Sequence, residues 1–232
     1  MPDVWTTRLD LKTVVADLAA QDPPGAPLTD PFEIIVWENI GYLIDDGARE
    51  TLFRELEARI GLSAAAIAGA PDEVLRGITR RGGMHPDKRA ERLLDIARIV
   101  LADCSGDLAG TLATLPLAKA RALLKRFPSI ADPGADRILL FGGFAAVPSV
   151  DSNGLRAMVR MGFAMERPGN YGATYREAVA ALAGQGEMTR PWLMQAYLVL
   201  REHGKTLCRR SQPQCLACPL DAGCAHAVIS QL

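Results

Sequence analysis

The chain has 232 residues, 49% of them hydrophobic and 23% charged, enough to bury one large core or two small ones. A formal net charge of -1 excludes a protein coated in positive charge, so any nucleic-acid site must be a local basic patch. No run approaches the roughly 20 apolar residues of a membrane span, and the N-terminus Met1-Pro2-Asp3-Val4-Trp5 lacks a basic stretch followed by an apolar run, so a reducing, bacterial-type cytoplasm is expected.

Alanine, leucine and arginine dominate and apolar residues recur at helical spacing, which predicts an all-α protein. In chain order the pattern gives an N-terminal helix over 9–20 and a connector, Asp22-Pro23-Pro24-Gly25-Ala26-Pro27. Helices over 31–44, 48–60, 71–80 and 87–103 follow, with a break at Gly82-Gly83. Beyond them come helices over 117–126, 134–143, 151–163, 172–183 and 190–203, broken at Pro128, Pro148, Pro168-Gly169 and the Gly184, Gly186 pair. Segments this short are stable only when their apolar faces pack together.

After the last of these helices four cysteines, Cys208, Cys215, Cys218 and Cys224, form a C-x6-C-x2-C-x5-C block. Four soft thiolates joined by short loops suit either tetrahedral zinc or a [4Fe–4S] cluster, and spacing alone does not choose between them. A disulfide framework is not expected in a reducing compartment. Cys104 closes an apolar helical pattern and reads as a buried bystander.

The block and its surroundings, His203-Gly204-Lys205-Thr206-Leu207-Cys208 and Cys218-Pro219-Leu220, closely resemble the iron–sulfur loop of the endonuclease III superfamily of DNA glycosylases, mismatch adenine glycosylases included. The resemblance implies a structural [4Fe–4S] cluster, with zinc the alternative, and places Lys205, Arg209 and Arg210 toward DNA phosphates. It also implies a two-lobed helical fold: a central lobe of 31–140, and a second lobe made of 1–30 with 141–232, with DNA across the cleft between them.

The resemblance runs over nearly the whole chain from about residue 30. Leu124 to Leu140, with Phe127-Pro128-Ser129-Ile130-Ala131-Asp132 between two helical segments, is similar to the family's helix-hairpin-helix, whose backbone N–H groups bind phosphate. Ser129 and Ala131 stand where the family has glycine, which implies an altered hairpin with weaker phosphate or ion binding. Val150-Asp151-Ser152-Asn153-Gly154-Leu155-Arg156 is similar to the segment carrying the family's catalytic aspartate. Asp151 is thus expected to cap a helix and to stabilise the positive charge that develops on the sugar, or to orient water.

Aligned on Phe127-Pro128 and Ala135, the lysine of bifunctional members falls on Pro133, so no nucleophile is expected in the hairpin. Two positions resemble the adenine-glycosylase branch. Glu38, beside the apolar Ile34-Ile35-Val36-Trp37, falls on its purine-protonating glutamate, and Asn153 on its asparagine two residues after the aspartate. By the same count Leu43 takes the place of a wedge that fills the gap left by a flipped base, with Tyr42 as a stacking wall. Gly83-Met84-His85-Pro86-Asp87-Lys88-Arg89 matches a second DNA-facing loop, in which Lys88 and Arg89 would bind phosphate and His85 would approach the opposite strand. The chain ends eight residues past Cys224, without the added domain of mismatch adenine glycosylases, so a true mismatch adenine activity is not expected.

The expected function is therefore monofunctional excision of a damaged base, a modified or alkylated purine, from double-stranded DNA by a monomeric, nucleoid-associated enzyme. Two rivals remain open: a bifunctional enzyme using Lys125 or Lys88, and a non-catalytic protein that recognises distorted duplex.

Overall fold

Helices begin where a short polar side chain can accept the first free N–H groups, and Asp30, Asp45, Ser63, Asp107, Asp151 and Asn170 all do so. The computed structural model describes residues 9–21, 25–186 and 188–230, the last three by backbone alone. Asp22, Pro23 and Pro24 of the connector, and Met1 to Trp5, lie outside the described residues. Among the described residues the chain forms α1 (Leu11–Gln21), α2 (Pro31–Ile40), α3 (Asp46–Arg59), α4 (Ala64–Ala68), α5 (Asp72–Thr79), α6 (Pro86–Asp103) and α7 (Leu108–Thr114). It continues through α8 (Leu117–Leu124), α9 (Asp132–Phe141), α10 (Ser152–Met161), α11 (Tyr171–Ala183), α12 (Arg190–Thr206) and α13 (Ala225–Ser230). Two single 3-10 turns, Cys215–Ala217 and Asp221–Gly223, separate α12 from α13. Extended pairing among the described residues is confined to one isolated bridge, and the all-α expectation holds.

The chain divides into two compact units, one of Pro27–Phe144 and one of Met1–Ala26 with Ala145–Leu232. In Pro27–Phe144, α6 is the pillar. Its Leu93, Ile96, Ala97 and Val100 recur at helical spacing and are buried, and α2, α4 and α5 pack against it.

In the other unit α10 and α12 form the main contact, with α1 on α12 and with α11 and α13 on α10. Leu155, Met158, Leu200 and Leu182 share its core with Val14 and Val15 of α1. Gly204 lets α12 approach the first turn of α10 closely. A Cβ there would lie 2.4 Å from the carbonyl oxygen of Asn153 and 2.6 Å from its carbon. Helix propensity favours alanine over glycine by about 1 kcal/mol, whereas overpacking against backbone costs about 1–3 kcal/mol. Gly204→Ala is therefore expected to lower the thermal midpoint, by ~2–4 °C for each kcal/mol of net loss. A midpoint at or above that of the parent would show that the helices separate freely.

The predicted helix over 31–44 is too long, because α2 stops at Ile40. Gly41 turns extended (φ -144), and the N–H of Tyr42 bonds instead to Gly82 O at 2.8 Å. The apolar pattern runs on through Tyr42, Leu43 and Ile44, and helical periodicity alone cannot see this pairing. Helices α4 and α7, of five and seven residues, are too short to show a period in the sequence. Cys104 is buried at the end of α6, as expected.

Candidate functional site

Asp151 caps α10 as predicted. Its Oδ1 accepts from the backbone N–H groups of Asn153 (3.0 Å) and Gly154 (2.8 Å). Its Oδ2 accepts from Nδ2 of Asn153 at 3.0 Å and lies 3.5 Å from Nε of Arg201, with 21% of the side chain exposed. One oxygen is thus spent on the helix end, while the other is oriented by an amide and a guanidinium at the protein surface. Nearby Tyr171 has its phenol pushed up, first by burial and then by the charge of Asp151.

A chain of hydrogen bonds leads from this carboxylate to the cysteine block. Arg156 donates from Nη2 to Oδ1 of Asn153 (3.1 Å) and to Gly204 O (2.6 Å), and from Nε to Cys208 O (3.0 Å). One turn on, Arg160 donates from Nη1 to Arg209 O (2.6 Å) and from Nη2 to Arg210 O (3.1 Å), and its Nη1 lies 3.6 Å from Cys208 Sγ. Burial lowers the Arg156 pKa, so this guanidinium is partly desolvated to hold the loop. Nothing in the sequence pattern by itself assigns a role to Arg156, Arg160, Arg201 or Tyr171. The available signal was the pair of arginines four residues apart on the helix that follows Asp151.

None of the five cysteines forms a disulfide. Cys208, Cys215, Cys218 and Cys224 line one pocket with Met161, His203 and Leu220 among its other walls. The loop is shaped by its own backbone: Gln214 N bonds to Leu207 O (2.9 Å), Cys218 N to Cys215 O (3.0 Å) and Cys224 N to Asp221 O (3.2 Å). No group of three or more His, Cys, Asp or Glu among the described residues stands ready as a metal site. The donor set nonetheless fits a soft metal group. Burial pushes the Cys218 thiol up, the Leu220 N–H pulls it down, and the other three thiols push it up again. Four cysteine sulfurs around one pocket, three half-buried and one buried, offer the soft donors that such a group requires. His203, in the same pocket, has its imidazole pKa lowered by burial.

Among the cations expected to face phosphate, Arg209 and Arg210 are exposed, their backbone fixed by Arg160. Lys205 is half-buried and donates to Glu202 at 3.0 Å, which leaves it less charge to offer.

In Pro27–Phe144 the loops 41–44 and 82–85 are laced together. Tyr42 bridges to Gly83, and a Cβ on Gly82 or Gly83 would lie 2.2 Å from Ile40 O or Tyr42 O respectively. Only glycine permits that approach. The crossing pushes Tyr42 and Leu43 outward, 54% and 72% exposed, with Leu43 in the left-handed region at φ 57. They are surface residues, not core. His85 is exposed at φ 56 and Lys88 is exposed beside it. Arg89 is a correction: it is 2% exposed and its guanidinium serves the carbonyls of Met84 and Asn39, so it holds the loop from inside instead of meeting phosphate.

The hairpin between α8 and α9 keeps its turn without the two glycines. Ser129 itself takes a left-handed φ of 63, while Ala131 is extended, a conformation open to any residue. Both are exposed, and no side chain caps α9. Loss of glycine therefore bears on backbone conformation only at Ser129. Asn39 ties α2 to this turn by donating to Pro128 O at 3.1 Å. Pro133 sits in the first turn of α9, and Lys125 is paired with Asp132 at 2.6 Å. Glu38 is also corrected: it forms an ion pair with Arg137, whose guanidinium stacks 5.6 Å from the Phe141 ring, and it is not a carboxyl isolated in an apolar setting.

No family model and no curated protein matches the chain. Solved structures do. A trapped endonuclease III–DNA covalent intermediate superposes with a TM-score of 0.75 at 17% identity, covering 97% of this chain and 100% of that one. A thermostable thymine-DNA glycosylase gives 0.74 at 16% identity, over 94% of this chain and 95% of that one. The 3-methyladenine DNA glycosylase of H. pylori, bound to 1,N6-ethenoadenine, gives 0.66 at 17% identity, over 86% of this chain and 99% of that one. The chain has the all-α fold of these helix-hairpin-helix glycosylases.

Proposed function

We propose that this protein is a monofunctional DNA glycosylase that removes a damaged base, an alkylated purine by preference, from double-stranded DNA. The observation that carries the reading is Asp151, a surface-reaching carboxylate whose Oδ2 is oriented by Asn153 and Arg201 on a fold shared with DNA glycosylases. In the reaction the bond from sugar C1′ to the base breaks and its electron pair leaves with the base. Water then adds to C1′ and loses a proton. Asp151 supplies negative charge beside the cation formed in between. With Glu38 paired to Arg137, no dedicated proton donor is assigned. A base already cationic through alkylation needs none to depart, whereas a neutral purine does.

Tyr42, Leu43, His85 and Lys88 supply the exposed wedge and strand contacts, and Ser129 with Ala131 the hairpin contact. Arg209 and Arg210, both exposed, bind phosphate. Cys208, Cys215, Cys218 and Cys224 hold a [4Fe–4S] cluster, which supplies rigidity to the loop and no bond-breaking chemistry. Substitution of the loop cations should weaken binding and flatten its salt dependence.

Pro133 makes the monofunctional reading testable, because β-elimination needs an amine at C1′ and the proline nitrogen is locked in the backbone. Incubation with a lesion duplex is expected to leave an abasic strand that breaks only after alkali, with little borohydride-trapped adduct. A strong adduct would show that another amine, such as Lys125 or Lys88, reaches the sugar, and would overturn this reading.

A further inference from the structure

Among the described residues that line the cysteine pocket, His203 is the one buried polar side chain. It lies on α12, 5% exposed, with Nε2 4.0 Å from the sulfur of Cys218. Its Nδ1 is fully buried with no hydrogen-bond partner among the described residues. A neutral imidazole carries one N–H. If the proton sat on Nδ1, a buried donor would be orphaned and the Nε2 lone pair would face sulfur, a repulsive contact once Cys218 is a thiolate. With the proton on Nε2, the donor meets the sulfur and the orphan is only a lone pair. Metal-bound thiolates have no proton to offer, so the second arrangement is the stable one whenever the four cysteines hold metal. Cys208 has its own donor in Arg160.

We infer that His203 donates Nε2–H to the Cys218 thiolate, and through that bond sets how tightly the cysteine-held cluster is retained and at what potential it is reduced. The inference rests on the cluster assignment above. His203 is a positioning residue, acting through Cys218 and touching no substrate. A donor to sulfur stabilises the extra negative charge of the reduced cluster and so raises its potential.

His203→Phe keeps a ring and removes the donor. Purified variant is expected to lose iron to a chelator about tenfold faster than the parent and to show a more negative potential by voltammetry. His203→Gln, which keeps an N–H donor, should lie between them. Parental iron retention and potential in His203→Phe would overturn the inference. Should His203→Phe fail to fold, unmutated His203 can be tested directly. In a His226→Gln chain labelled with 15N-histidine, pulsed electron paramagnetic resonance of the paramagnetic cluster is expected to detect a weakly coupled histidine nitrogen; no coupling overturns the inference. Protein purified with zinc or without metal would overturn the cluster assignment itself, which metal analysis of the parent reports separately.

Discussion

Asp151→Asn is expected to cut base excision by about 10²–10³-fold while leaving duplex affinity at or above the parental value. The substitution isolates charge from shape. Asparagine caps helices as well as aspartate does, so Oδ1 can still accept from Asn153 and Gly154 and the end of α10 stays formed. What disappears is the negative charge on Oδ2, next to Asn153 and Arg201. A carboxylate near phosphates costs binding energy, so its removal does not weaken the complex. Single-turnover excision together with a binding titration separates the two effects. Equal excision by the variant would show that Asp151 is only a cap.

Cys215→Ser should have the next largest effect, bringing iron from about four atoms per chain to a small fraction of that and reducing soluble yield. A serine oxygen is a hard, protonated donor where a soft thiolate is required. The segment between α12 and α13 has only two 3-10 turns and a few backbone bonds of its own, so it depends on what joins its sulfurs. Cys104→Ser is the control, since Cys104 is buried in Pro27–Phe144 and lines no part of that pocket. Full iron and normal yield in Cys215→Ser, measured by metal analysis, would rule out a four-cysteine cluster.

The sequence was most legible where chemistry is local. The spacing of the four cysteines predicted their convergence, and Asp151 ahead of an apolar helix predicted its cap, because both depend on neighbours within a few residues. It was least legible where one segment answers another far along the chain. Tyr42 leaves the helical pattern because Gly82 accepts its N–H, and Arg89 turns inward because two carbonyls wait there. The same holds for Glu38, whose partner Arg137 comes from α9, and for the arginine clamp that joins α10 to the cysteine loop. Periodicity assigns a face, and charge pairing across the fold decides what a polar residue on that face does.

Cleavage of a glycosidic bond by this chain is read from the release of free base from methylated duplex DNA, detected by mass spectrometry after removal of the polymer. Purified protein is predicted to release alkylated purine in a time-dependent manner, at a rate proportional to enzyme, with the DNA strand intact until alkali is added. Tight binding to the same DNA with no base released, across a set of duplexes each carrying one lesion, would contradict it and leave a protein that recognises distorted duplex without cutting.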